Sequence, residues 1–123
     1  MTRTNILLYV TQPEASARFY ARLLGQQPVE ASPTFVLFLP PEGPALSLWA
    51  RHEIVPAPAT AGGGCEIGFR VDRAALVDAT HADWAAKGAT IILEPTDLGF
   101  GRSFMAVDPD GHRLRVYARA EDR

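Results

Sequence analysis

Two stretches of this chain repeat one order of apolar and polar positions. Residues 4 to 10 form an apolar, β-branched run that predicts a strand. An acidic first turn at Glu14 then opens a helix, and Gly25 stops it. Three strand candidates follow: around Val29, across Phe35 to Leu39, and across Ala45 to Ala50. Pro40-Pro41-Glu42-Gly43-Pro44 is the turn between the last two. The same order then returns. Cys65 to Val71 predicts a strand, Asp72 an N-cap, Ala74 to Lys87 a helix and Gly88 its left-handed C-terminal residue. Ile91 to Leu93, Ser103 to Val107 and Leu114 to Ala118 predict three further strands.

Comparing Val10 with Val71 and Gly25 with Gly88 gives an offset of roughly 61 to 63 residues, the period of a duplicated βαβββ unit. The predicted fold class is therefore α+β, with two βαβββ modules over residues 4–52 and 64–119. A Pro/Gly-rich linker over residues 53–63 joins them into one domain. Such a linker permits a module to pack within its own chain or to exchange with a partner, so a domain-swapped dimer is open.

Strand parity assigns faces, because alternate side chains point to opposite sides. Ile6, Leu8 and Val10 are expected on the helix, leaving Asn5, Leu7 and Tyr9 on a concave face. Leu46 and Leu48 point inward, leaving Ser47 and Trp49 in the cavity. The second half places Glu66, Gly68 and Arg70, and Arg113, Arg115 and Tyr117, on the equivalent surface. The expected lining is aromatic plus guanidinium. Of Phe35 and Phe38, which sit three apart in one strand, parity assigns only one to the cavity and does not say which.

Composition narrows the classes. With 123 residues the chain suits one small domain. A 47% hydrophobic, 21% charged sequence of net charge -2 argues against disorder and against electrostatic capture of nucleic acid. No apolar run reaches the roughly 18 to 20 residues of a membrane span, and no signal peptide precedes Thr4. The single cysteine, Cys65, forms no intrachain disulfide, so a cytoplasmic setting is expected.

Three stretches carry a family resemblance. They are Pro13-Glu14-Ala15-Ser16-Ala17-Arg18-Phe19-Tyr20 with Leu23-Leu24-Gly25, then Glu66-Ile67-Gly68-Phe69-Arg70-Val71-Asp72, and finally Gly101-Arg102-Ser103-Phe104 with Asp108-Pro109-Asp110-Gly111-His112-Arg113-Leu114-Arg115-Val116-Tyr117. Together they resemble the vicinal oxygen chelate superfamily of glyoxalases, bleomycin resistance proteins and dioxygenases. That resemblance implies a glyoxalase-like fold, commonly as a homodimer. It also marks four places where a family enzyme holds metal ligands. Here they hold Asn5, Ser47 or Trp49, Glu66 and Arg115.

Asn5 is a weak neutral donor, and Arg115 is permanently positive and repels a cation. Glu66 is a competent ligand, but one carboxylate does not make a site. No metal, cofactor or catalytic residue is therefore expected. Glu66 and Arg115 are expected to pair across neighbouring strands, either as simple neutralisation or with Arg115 or Arg70 taking a ligand carboxylate that Glu66 orients. Trp49 is the expected stacking platform, with ordinary core packing as its plain reading. Phe100 and Phe104 are expected as the opposite wall or a lid.

The sequence is most similar to the phenazine-antibiotic resistance type. The carrying residues are Tyr9-Val10, Ala45-Leu46 through Trp49, Glu66-Ile67-Gly68, Glu94-Pro95, Phe100-Gly101-Arg102-Ser103-Phe104 and Asp108 to His112 with Arg115-Val116. This implies stoichiometric sequestration of a planar aromatic molecule by Trp49, Glu66, Arg115, Phe100, Phe104, Arg70, Ser47, Asn5 and Tyr9. The competing expectation is a metal-dependent lyase, dioxygenase or thiol transferase with relocated ligands such as Glu66 and His52. Of the other residues, His52 reads as surface, His81 as solvated mid-helix, and His112 as part of the turn after Asp110-Gly111. Trp84 reads as a helix anchor and Glu14 with Arg18 as a helix surface pair.

Overall fold

A computed structural model describes residues 3–122. The chain folds as two compact units that meet in sequence between Ala61 and Gly62.

The first unit contains β1 (Asn5–Val10), α1 (Pro13–Leu24), β2 (Glu30–Ala31), β3 (Phe35–Phe38) and β4 (Ala45–Ala50). Its sheet has the order β1-β4-β3-β2. β1 and β4 run parallel, so the chain between them must cross over. Helix α1 lies in that crossover, and its buried side presents Ser16, Phe19, Tyr20 and Leu23 at helical spacing. They pack with Leu8, Val10, Val36, Phe38, Leu46 and Leu48 in the core. Each such large apolar side chain contributes about 1.5 to 3 kcal/mol when taken fully out of water. Pro13 opens α1, where its fixed φ is helical and its missing N–H is no loss. Gly25 ends the helix in the left-handed region at φ 65°, its N–H donating to the Ala21 carbonyl at 3.0 Å.

The second unit repeats the plan with β5 (Glu66–Arg70), α2 (Ala74–Ala86), β6 (Thr90–Leu98), β7 (Gly101–Val107) and β8 (Arg113–Arg119). The order is β5-β8-β7-β6, with β5 and β8 parallel. Helix α2 differs from α1 in being rich in alanine, and it buries only Val77 and Trp84. Alanine's intrinsic preference for helix does here what a broad apolar stripe does in α1. Trp84 is the anchor expected of it, packing edge-on against Phe69 at 5.8 Å and Phe104 at 5.5 Å between ring centroids.

Three expectations need correction. Asp72 does not cap α2. The Val71 N–H still bonds to the Tyr117 carbonyl, so the chain turns the corner through Asp72 and Arg73, and Arg73 takes the capping position without a side-chain bond. Strand β6 does not end at Leu93 but continues through Glu94-Pro95 to Leu98. Irregularities in its register with β7 absorb that dipeptide, and β6 is a sheet edge, where proline is tolerated. His81 is not solvated. It is half-buried, its ring lies 5.3 Å from that of Phe104, and its Nε2 is 2.7 Å from the Glu94 carboxylate.

Candidate functional site

In the second unit, parity brings Glu66 and Gly68 of β5 onto the same face as Arg115 and Tyr117 of β8. The parallel register sets Gly68 beside Arg115 and Arg70 beside Tyr117. Arg115 reaches diagonally to Glu66, with Nε 2.5 Å from one carboxylate oxygen and a terminal nitrogen 3.2 Å from the other. Its second terminal nitrogen donates to Ser103 Oγ at 2.8 Å. Ser103 is fully buried, opposite Tyr117 on β7. Two bonds to a carboxylate and one to a buried hydroxyl fix the plane of the guanidinium.

An aromatic corner closes over this plane. The Arg115 Cζ lies 5.8 Å from the centroid of the Phe100 ring, and Phe100 meets Tyr117 edge-on at 5.9 Å. Phe100 sits in the turn before β7, and Gly101 is what lets that turn close. An added Cβ at Gly101 would fall 2.0 Å from the Ala118 carbonyl oxygen, and its φ is 149°. Phe100 remains 45% exposed, a large apolar surface left in water beside a cation. Glu66, Gly68, Phe100, Arg115 and Tyr117 line an open cavity of about 510 Å³. Gly68 contributes to it by having no side chain, since a Cβ there would already stand 3.3 Å from the Tyr117 ring.

The first unit presents a different surface. Tyr9, Trp49 and Phe35 lie directly opposite one another on β1, β4 and β3, forming an aromatic row across three strands. Phe35 meets Trp49 edge-on at 6.0 Å, and Trp49 Nε1 donates to Glu53 at 3.3 Å. Phe38 is fully buried, so Phe35 is the member of that pair on Trp49's face. Ser47 is also fully buried and donates to Asn5 Oδ1 at 2.8 Å.

Two predicted site residues lie elsewhere. Phe104 is fully buried on the opposite face of β7 from Ser103, against His81 and Trp84, and cannot be a cavity wall or lid. Arg70 is drawn away by Asp122, to which it donates from Nε at 3.2 Å and from a terminal nitrogen at 2.6 Å. That hydrogen bond raises Arg70 above its ordinary value and holds Asp122 below the usual carboxylate range. Ser103, which accepts from Arg115, is the residue of this cluster that the sequence did not single out. Parity holds the signal, since Ser103 and Phe104 cannot share a face, but assigning Phe104 to the cavity excludes Ser103.

The donor set does not suit a divalent ion. Both Glu66 oxygens are engaged by Arg115. Among the described residues, no group of three or more His, Cys, Asp or Glu is placed to hold a metal ion. His52 is exposed in a short helical turn over Arg51–Glu53. Among the described residues no helix is long and apolar enough to cross a membrane.

Residues 3–116 match the sequence profile of the Glyoxalase/Bleomycin resistance protein/Dioxygenase superfamily. The chain belongs to this superfamily. It is 34% identical over 116 residues to the phenazine antibiotic resistance protein EhpR of Enterobacter agglomerans, covering 89% of this chain and 86% of that protein. The solution structure of protein ATC0852 from Agrobacterium tumefaciens is similar at 50% identity and TM-score 0.87, covering 98% and 99% of the two chains. A superfamily member from Nocardioides matches at 25% identity and TM-score 0.84, covering 100% of this chain and 86% of that one. The Nocardioides superfamily member thus shares the fold seen here.

Proposed function

We propose that this protein binds and sequesters a planar aromatic small molecule of phenazine type, without converting it, and so confers resistance to it. One observation carries the reading. The place where a family enzyme would hold a metal-binding glutamate holds Arg115, and that guanidinium occupies both oxygens of Glu66. What is left around it is a recognition surface: a fixed cation, an exposed Phe100 ring, Tyr117 and the bare backbone of Gly68. Its volume of about 510 Å³ falls within the range of small-molecule sites. The similarity to a protein named for phenazine resistance supports the choice of ligand class. Trp49, Tyr9 and Phe35 of the first unit supply a second aromatic surface for stacking, and Asn5, held by the buried Ser47 hydroxyl, supplies a polar group on the same face. The proposed setting is cytoplasmic and the proposed assembly a homodimer, which sedimentation tests.

Calorimetric titration with phenazine tests the reading, with tryptophan quenching as a second readout in proteins that keep Trp49. Trp84 is 3% exposed, so quenching is expected to report on Trp49. Arg115→Ala and Trp49→Ala are each expected to weaken binding at least tenfold, about 1.4 kcal/mol. Undiminished affinity in Trp49→Ala would rule out Trp49 as a stacking anchor, and undiminished affinity in Arg115→Ala would refute the recognition surface.

A further inference from the structure

We infer that the pocket of the second unit selects charge-neutral, hydrogen-bond-accepting planar rings over their carboxylated counterparts. The inference rests on the binding reading above and adds the ligand's charge class to it. A guanidinium carries five N–H donors. In Arg115 three are used, two by Glu66 and one by Ser103, which leaves one on each terminal nitrogen for an incoming acceptor. The five lining residues carry one positive charge and one negative charge, and these lie in direct contact. The wall is therefore a neutral dipole, not a free cation.

A ligand carboxylate approaching Arg115 meets the Glu66 carboxylate in the same wall. To take the two remaining N–H groups it must share one positive charge with Glu66, and it must stand beside that carboxylate, which repels it. Glu66 is held in place, because its Arg115 partner is itself anchored by the buried Ser103 hydroxyl. A neutral aza-aromatic meets neither cost. Its ring covers the exposed Phe100 surface, and a ring nitrogen or amide oxygen accepts one of the two remaining N–H groups. Glu66 is thus a specificity-determining residue that acts by cancelling charge, and Arg115 does not by itself create an anion site.

The test is a calorimetric titration of the full chain at pH 7.5 with phenazine, phenazine-1-carboxamide and phenazine-1-carboxylate, repeated on Glu66→Gln. The wild-type protein is expected to bind the carboxamide at least tenfold more tightly than the carboxylate. In Glu66→Gln, affinity for the carboxylate relative to that for the carboxamide is expected to rise about tenfold. Wild-type binding of the carboxylate as tightly as the carboxamide, or tighter, would overturn the inference and leave the binding reading standing. A ratio unchanged in folded Glu66→Gln would also overturn it. Failure of all three compounds to bind either protein would overturn the binding reading and the inference together.

Discussion

Replacing Phe104 by alanine and replacing Phe100 by alanine are the same chemical change four residues apart, and the structure separates their consequences. Phe104 is fully buried and touches the His81 and Trp84 rings edge-on at 5.3 and 5.5 Å. Its truncation removes a whole buried ring and leaves a cavity between α2 and β7, at a cost of about 3 to 5 kcal/mol. With a shift of roughly 4 °C per kcal/mol for a chain of this size, Tm should fall by roughly 12 to 20 °C. Phe100 is 45% exposed, so about half its ring is already in water and its truncation costs about 1 kcal/mol, or roughly 4 °C. Ligand affinity should reverse the order. Phe100→Ala loses a lining side chain and its packing on Arg115, and should bind phenazine at least tenfold more weakly. Phe104→Ala, where it is still folded, should bind within threefold of wild type. Urea denaturation followed by circular dichroism, with phenazine titration below the transition, measures both. A stable Phe104→Ala with impaired binding would refute the assignment of faces on β7.

Other consequences follow from the same geometry. Gly68→Leu should fill the cavity from an extended strand position and abolish phenazine binding while Tm stays within about 4 °C of wild type, as measured by calorimetry; intact binding would place the ligand elsewhere. Asp108→Ala should cost about 2 to 4 kcal/mol in urea denaturation, because the buried carboxylate accepts the Asp110 and His112 N–H groups at 2.9 Å each; a loss below 1 kcal/mol, about the net worth of a single hydrogen bond, would contradict that role. Asp78 is held below the usual carboxylate range by its hydrogen bonds from Arg102. A lowered folded-state value means its stabilisation is present above the unfolded value of about 3.9 and is lost as pH falls through the folded value. Between pH 6 and 2.5 the Tm of wild type should therefore fall further than that of Asp78→Asn, and parallel curves would refute the pairing.

Much of this was legible in the chain because two-residue periodicity is a strong signal where one sheet face is buried. The Ala45-Ala50 strand has its predicted bounds, and Leu8, Val10, Leu46 and Leu48 face the helix as parity requires. Gly25 and Gly88 end their helices with positive φ, as the local chemistry of a left-handed cap dictates. The Glu66-Arg115 pair was legible too, since each residue sits on the cavity face of its strand. What escaped depends on tertiary context. Phe104 and Ser103 compete for one face, and only the position of Trp84 and His81 on α2 decides between them. Arg70 has the correct parity, but its partner Asp122 lies 52 residues away in sequence, at a point no periodicity reaches. Pro95 reads as a strand breaker unless the strand is known to be an edge.

The central claim is stoichiometric binding without conversion, and calorimetric titration of chelator-treated protein with phenazine, followed by mass spectrometry of the recovered ligand, tests it most directly. The account predicts saturable binding that is insensitive to the chelator, with the ligand recovered unchanged. Chemical conversion of the ligand, or binding that appears only when a divalent metal is restored, would contradict it.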